Sequence, residues 1–383
     1  MIAVAGRCRS EKGAQMSESR SGNGIHTSSK SFFAFVVFSA VLVGGTGGCK
    51  GKHQGPGEIE GERIPETVVA ERTDARDGAG RTVAREAGVP LPEKEILFGD
   101  FHVHTTFSAD AFMMSLPIMQ GEGAHPVADA CDFARYCSAL DFWSINDHAE
   151  GLTPLRWRET KETIRRCNAV AGDESDPDVV AFLGWEWTQI GRTPEDHYGH
   201  KNVIFRETAE DRVPVRPIHS ASFAFQAMRE PLPLAQEILL PLLDWPNRHY
   251  DRDLFFYQDE LRAVPLCPDG VDTRELPAEC LEGAATPKIL FEKLAQWGFD
   301  AQVIPHGTAW GIYTPPGANW AKQIGTDQND EKYQRVVEVF SGHGNSEEYR
   351  AWRSVEIDEN GNEVCAEPTS DFEPCCWRAG EII

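Results

Sequence analysis

Basic residues are scarce. Lys and Arg total 37 against 60 Asp and Glu in 383 residues, a formal net charge of −23. A chain this acidic lacks the basic face that nucleic acid demands, which argues against nucleic acid as a partner. It suits a soluble enzyme that concentrates divalent cations. The ten cysteines form no Cys-x-x-Cys pair, which argues against a zinc ribbon. There is no internal repeat and no long low-complexity run. The longest uncharged apolar stretch, residues 31–48, is short of the ~20 residues of a spanning helix. What remains is ordinary globular material, 41% hydrophobic and 10% aromatic. The chain is long enough for an α/β barrel of roughly 250 residues.

The N-terminus reads as an export signal. Arg20 and Lys30 precede the apolar run SFFAFVVFSAVLVGGTGG (31–48), and Cys49 follows at once. A basic segment, an apolar segment and small residues before a cleavage point define such a leader, here residues 1–48. Cys49 after Gly47-Gly48 resembles the lipidated cysteine of a bacterial lipoprotein, with Thr46 where Leu is typical. Ordinary secretion and a retained anchor are the alternatives, and Met16 is a second candidate start. Residues 49–92, rich in Gly, Glu, Arg and Pro, read as the lipidated cysteine and a flexible tether. The expected location is therefore outside the cytoplasm, on the periplasmic or cell-surface side, with a lipid anchor in the membrane. Eight further cysteines suit an oxidising compartment. Cys267 and Cys280 flank a polar loop and form the expected local pair; Cys131, Cys137 and Cys167 read either as disulfide partners or as buried thiols.

From residue 93 onward strands alternate with helices. Strands are expected at 96–103, 141–147, 179–187, 201–205, 300–306 and 335–343, and helices at 125–140, 153–171, 233–244 and 286–298. Alternation of this kind implies parallel βαβ units over a domain spanning 93–383. Residues 245–285 are Pro-rich and read as an irregular insertion or active-site loop.

Metal-capable side chains fall at strand ends. His102 and His104 close the first strand, His148 follows Asp147 after the second, Glu186 ends the third, His306 ends the fifth, and His343 follows the sixth. In a parallel α/β barrel, chemistry sits at the carboxyl ends of strands. His200 is the misfit, because it precedes its strand. His102 and His104, two residues apart, share a strand face and converge. Asp110 offers a hard oxygen, Glu186 can bridge two ions, and His148, His200 and His306 complete the nitrogen set. Mixed imidazole and carboxylate ligation suits Zn, Mn or Fe. Such ions bring a bound water toward neutral pKa and clamp phosphoryl oxygens. His125 reads as a helix-start residue outside the cluster, His197 is ambiguous, and His219 and His249 read as surface or loop residues.

GDFHVHTTFSADA (99–111), SINDHAE (144–150), GWE (184–186) and IPHG (304–307) resemble motifs of the polymerase and histidinol phosphatase (PHP) superfamily. HYGHKNVIF (197–205), EVFSGHGNSEEYR (338–350) and EPCCWRAGE (373–381) resemble an uncharacterised exported group within it. The resemblance implies a distorted barrel of about seven β/α units, up to three metal ions and hydrolysis of phosphoesters. It implies His102, His104 and Glu186 at one metal, Asp110 and His148 at a second, and Glu186, His200 and His306 at a third. Asp100 and Asp147 would support ligands from behind. Lys201 and His343 would hold the oxygens of a small phosphorylated substrate, with His343 alternatively a ligand or general acid. The superfamily closes with an Asp-x-His that does not occur after His343 here. A barrel lacking its last strand and fewer than three ions are therefore expected. A non-catalytic surface lipoprotein is the competing reading.

Overall fold

The computed structural model describes residues 54–90, 96–172, 175–231, 233–311, 313–315, 317–324, 327–341, 344–346, 355–365 and 367. Cys49, His343 and the 373–381 segment lie outside them.

Residues expected as a flexible tether are not one over their described part. Glu66–Ala87 form helix α1, rich in Ala, Arg and Glu, with Gly88 at φ +67° closing it in the left-handed conformation. Before it, the Ala128 amide donates to Pro56 O, Glu60 N donates to Asp132 Oδ2 (2.8 Å), and Ile64 is buried. Local composition is weak against such tertiary contacts.

The first half of the domain follows the expected alternation. Strand β1 (Gly99–Val103) leads through α2 (Ala109–Ser115) and α3 (Val127–Asp132) to β2 (Phe142–Ile145), and α4 (Pro154–Val170) leads to β3 (Val180–Trp187). These strands are parallel, in the order β1-β2-β3. Helix α4 starts where Thr153 caps it, its hydroxyl accepting from Arg156 N with Pro154 at the first helical position.

From β3 onward the all-parallel expectation fails. Strand β4 (His200–Phe205) runs antiparallel to β3, because residues 188–199 between them contain no crossover helix. The chain then forms β5 (Ile218–His219), α5 (Phe223–Arg229), α6 (Leu234–Leu243), α7 (Arg248–Ala263), β6 (Glu282–Gly283), α8 (Pro287–Trp297) and β7 (Ala301–His306). Strand β7 is antiparallel to β4 and so parallel to β3, giving one mixed five-stranded sheet, β1-β2-β3-β4-β7. The sheet curls as a half-barrel; the fold is mixed α/β. Of the described residues expected as the sixth strand, 335–341, Phe340–Ser341 form a short strand, β9, in a small sheet with β8 (Trp310–Gly311) and β10 (Gly344–Asn345), and the Glu338 amide donates to Pro305 O of β7. The 245–285 insertion is less irregular than expected, since α7 occupies much of it.

One face of the sheet packs on α4 through Trp143, Trp157, Trp185 and Trp187, all fully buried, with Trp157 edge-on to Trp185 at 5.5 Å. Disulfides Cys131–Cys167 and Cys267–Cys280 tie α3 to α4 and close the loop after α7. The second is the expected local pair, and the first resolves the buried-thiol alternative for Cys131 and Cys167. Both suit a protein outside the cytoplasm. Among the described residues no helix is long and apolar enough to cross a membrane.

Candidate metal centre

The reversal of β4 resolves the position of His200. Because β4 runs back along β3, its first residue lies at the same sheet end as the last residues of β3 and β7, and His200 sits directly opposite His306. The β2–β3 ladder continues past β2, with Glu186 N donating to Asp147 O and Ala149 N donating to Glu186 O, which holds His148 beside Glu186. Four strand ends therefore surround one fully buried carboxylate.

The two oxygens of Glu186 face different partners. Oε2 lies 3.3 Å from His102 Nε2, 3.0 Å from His104 Nε2 and 3.4 Å from His148 Nδ1. Oε1 lies 2.6 Å from His200 Nδ1 and 3.3 Å from His306 Nε2. Asp110, in the first turn of α2, places Oδ1 3.1 Å from His148 Nε2. Among the described residues three donor groups result, each with its ligand atoms within 4.8 Å of one another: His102, His104 and Glu186; Glu186, His200 and His306; and His102, His306 and Glu338.

Glu338 is the residue the sequence reading passed over. Its Oε2 lies 2.9 Å from His102 Nδ1. A signal was present: an acidic residue set between Val337 and Val339 in the 335–343 run, beside a histidine-bearing strand end. A carboxylate on the second nitrogen of a metal-binding imidazole fixes the ring's tautomer and orientation. Glu338→Gln is expected to weaken Zn or Mn binding roughly 10- to 100-fold while leaving the fold intact; calorimetric titration of the two proteins reads the difference.

Asp147 acts through Ser108. Its carboxylate accepts from Thr105 N (2.7 Å), the Thr105 hydroxyl (2.7 Å) and Ser108 Oγ (2.8 Å). With its proton given to Asp147, Ser108 Oγ accepts from His148 N (3.0 Å) and from His104 Nδ1 (2.9 Å). His104 Nε2 is thereby left as a lone pair, buried and without a hydrogen bond, aimed at the Glu186 carboxylate. Two acceptors at that separation fit a cation between them, so the donor set fits a metal. Asp100 supports the centre from the backbone, accepting from His102 N at 2.8 Å.

The charges interlock. Burial opposes ionisation of His102, yet the Glu186 and Glu338 carboxylates hold its pKa up at about 9. Burial likewise opposes the charged form of His148, and Asp110 and Glu186 lift it to about 10. Burial lowers His104 to about 4, with His148 adding to the effect, and lowers His306 to about 3, with His102 adding. Burial would raise Glu186 and Asp110, but the imidazoles hold both below the usual carboxylate range.

Lys201 does not belong to the cluster. Adjacent strand residues point to opposite faces, so His200 inside the site puts Lys201 on the other side of the sheet. There it is fully buried, donating to Tyr198 O (2.9 Å) and Gln323 Oε1 (2.8 Å) above the Trp187 ring, and burial lowers its pKa to about 7. The expected substrate-holding role is withdrawn. Lys201→Met is expected to cost about 1–3 kcal/mol of stability by stranding the buried Gln323 Oε1, while Tyr198 O keeps the Gln323 amide as donor, with metal content unchanged; urea denaturation and elemental analysis together check it. His219, expected at the surface, is buried on β5 and stacked on Phe225. His249 is exposed, its ring tilted against that of Tyr250. His197 is buried near the site, its Nδ1 accepting from Gly191 N.

A family model described as a protein of unknown function (DUF3604) matches residues 91–171, the segment from β1 through α4 that carries His102, His104, Asp110 and His148. No curated protein and no solved structure matches the chain.

Proposed function

We propose that this chain is a divalent-metal-dependent hydrolase of the PHP type acting on phosphoesters, and that it works outside the cytoplasm on a membrane tether. The observation that carries the proposal is Glu186, a buried carboxylate whose two oxygens face two separate sets of imidazoles. Zn, Mn or Fe held there would activate water and neutralise charge developing on phosphoryl oxygens. The chain's own part is to pre-position the donors. Ser108 and Asp147 lock His104, Glu338 and Asp100 lock His102, and the β2–β3 ladder locks His148. The five-stranded half-barrel supports the barrel implied by the sequence resemblance. The two disulfides support export, and the leader with Cys49 supports the tether.

Purified protein reloaded with Mn or Zn is expected to hydrolyse p-nitrophenyl phosphate or its diester, and a chelator is expected to remove that turnover reversibly. Turnover that is unchanged after metal removal would overturn the metal-dependent reading. A loaded centre with no turnover on either ester would overturn the phosphoester reading.

A further inference from the structure

The hairpin of α6 and α7 carries an apolar face with no covering element among the described residues. Leu239, Leu242 and Leu243 lie on one side of α6, and Trp245 follows at the turn; each is more than half exposed. Met114 on α2 and Met119 just beyond it are also more than half exposed, and α2 and α6 both pack on α7. Single exposed apolar residues are ordinary, but a group such as Leu239, Leu242, Leu243 and Trp245 along one helix and the turn after it marks an interaction site.

Where the chain enters the domain says what covers this face. Gln54 lines a small cavity with Phe112 of α2 and with Asp253 and Tyr257 of α7. It is the fifth residue after Cys49, a reach of at most ~18 Å. Asp253 lies in the second turn of α7, which starts at Arg248, and Trp245 is only three residues before that start. A membrane attachment at residues 31–49 would therefore hold the domain with α2, α6 and α7 close to the bilayer, because the long tether expected from composition is instead packed on the domain. Helix α6 has ten residues, about 15 Å, too short to span and suited to lie in the interface. The Arg248 guanidinium covers the Trp245 ring at 4.3 Å, and Arg252 is exposed one turn further on, so cations border the apolar face where lipid phosphates would be.

We propose that the α6 face, with Trp245, docks on the phospholipid surface and holds the domain against the membrane. This rests on the reading that residues 31–49 attach the chain to a membrane, and the test separates the two. Full-length protein is extracted from membranes and reconstituted into phosphatidylcholine vesicles, with or without lipid brominated high on the acyl chain. Sedimentation with the vesicles reads attachment, and quenching of tryptophan fluorescence reads docking. Wild-type protein is expected to sediment and to be quenched. Trp245→Phe is expected to sediment equally with at least half of the quenching lost, and Leu239→Gln/Leu242→Gln to lose quenching while keeping Trp245. Sedimentation with quenching absent, or unaffected by both variants, would overturn docking and leave attachment standing. Failure to sediment would overturn attachment, and docking with it. A lipid-free dimer abolished by Leu239→Gln/Leu242→Gln would assign the face to a second copy and overturn the proposal.

Discussion

Glu186→Gln is expected to reduce affinity for Zn or Mn by more than ~100-fold, a larger loss than removal of a supporting residue produces. Two of the three donor groups contain this carboxylate, one through each oxygen. The amide keeps the shape but removes the negative charge and replaces one oxygen with a donor that points N–H groups at an imidazole lone pair or a cation. The loss should fall together on the two groups that share this carboxylate, unlike His104→Ala, which removes one nitrogen from one group. Asp110→Asn should affect only the ion nearest His148. Titration with each metal, followed by elemental analysis after desalting, distinguishes these cases. Retention of full stoichiometry by Glu186→Gln would remove Glu186 from the centre.

Asp178→Ala is expected to destabilise the fold by about 3–5 kcal/mol, the cost of leaving a buried charge without its partner. Asp178 Oδ2 accepts from Arg135 Nε (3.0 Å) and from Ile64 N (2.7 Å), and both side chains of the pair are fully buried. Arg135 also donates to Cys167 O, so the pair sits beside the disulfide that joins α3 to α4. Loss of Asp178 should also release the Ile64 amide. Replacing both partners with apolar residues, Arg135→Met with Asp178→Leu, should recover much of the loss, since the two desolvation costs disappear together. Urea midpoints with unchanged slopes measure both effects. A single variant within about 1 kcal/mol of wild type would show that water reaches the pair.

The site was legible in the sequence wherever a ligand closes a strand. His102, His104, Glu186 and His306 end or follow apolar strands, and period-two patterning sets strand faces reliably. Strand direction was not legible. It depends on whether a crossover helix fits between two strands, and the loop at 188–199 settles it by carrying none. That one feature brought His200 into the cluster from the start of its strand and sent Lys201 to the opposite face. Glu338 was missed because its segment meets β7 through scattered amides, Val303 N to Tyr333 O and Glu338 N to Pro305 O, rather than as a regular strand. Helix α1 was missed because composition alone does not register contacts such as Arg76 with Asp141, 65 residues away. Both disulfides lie where cysteine spacing allowed them, but spacing does not choose Cys167 over Cys137 as the partner of Cys131.

The most direct measurement is the metal content of the wild-type protein. Protein stripped with chelator, reloaded separately with Zn, Mn or Fe and desalted is expected to retain at least one ion per chain, with retention lost in Glu186→Gln. Retention below about 0.2 ion per chain for all three metals would contradict a metal centre built on Glu186.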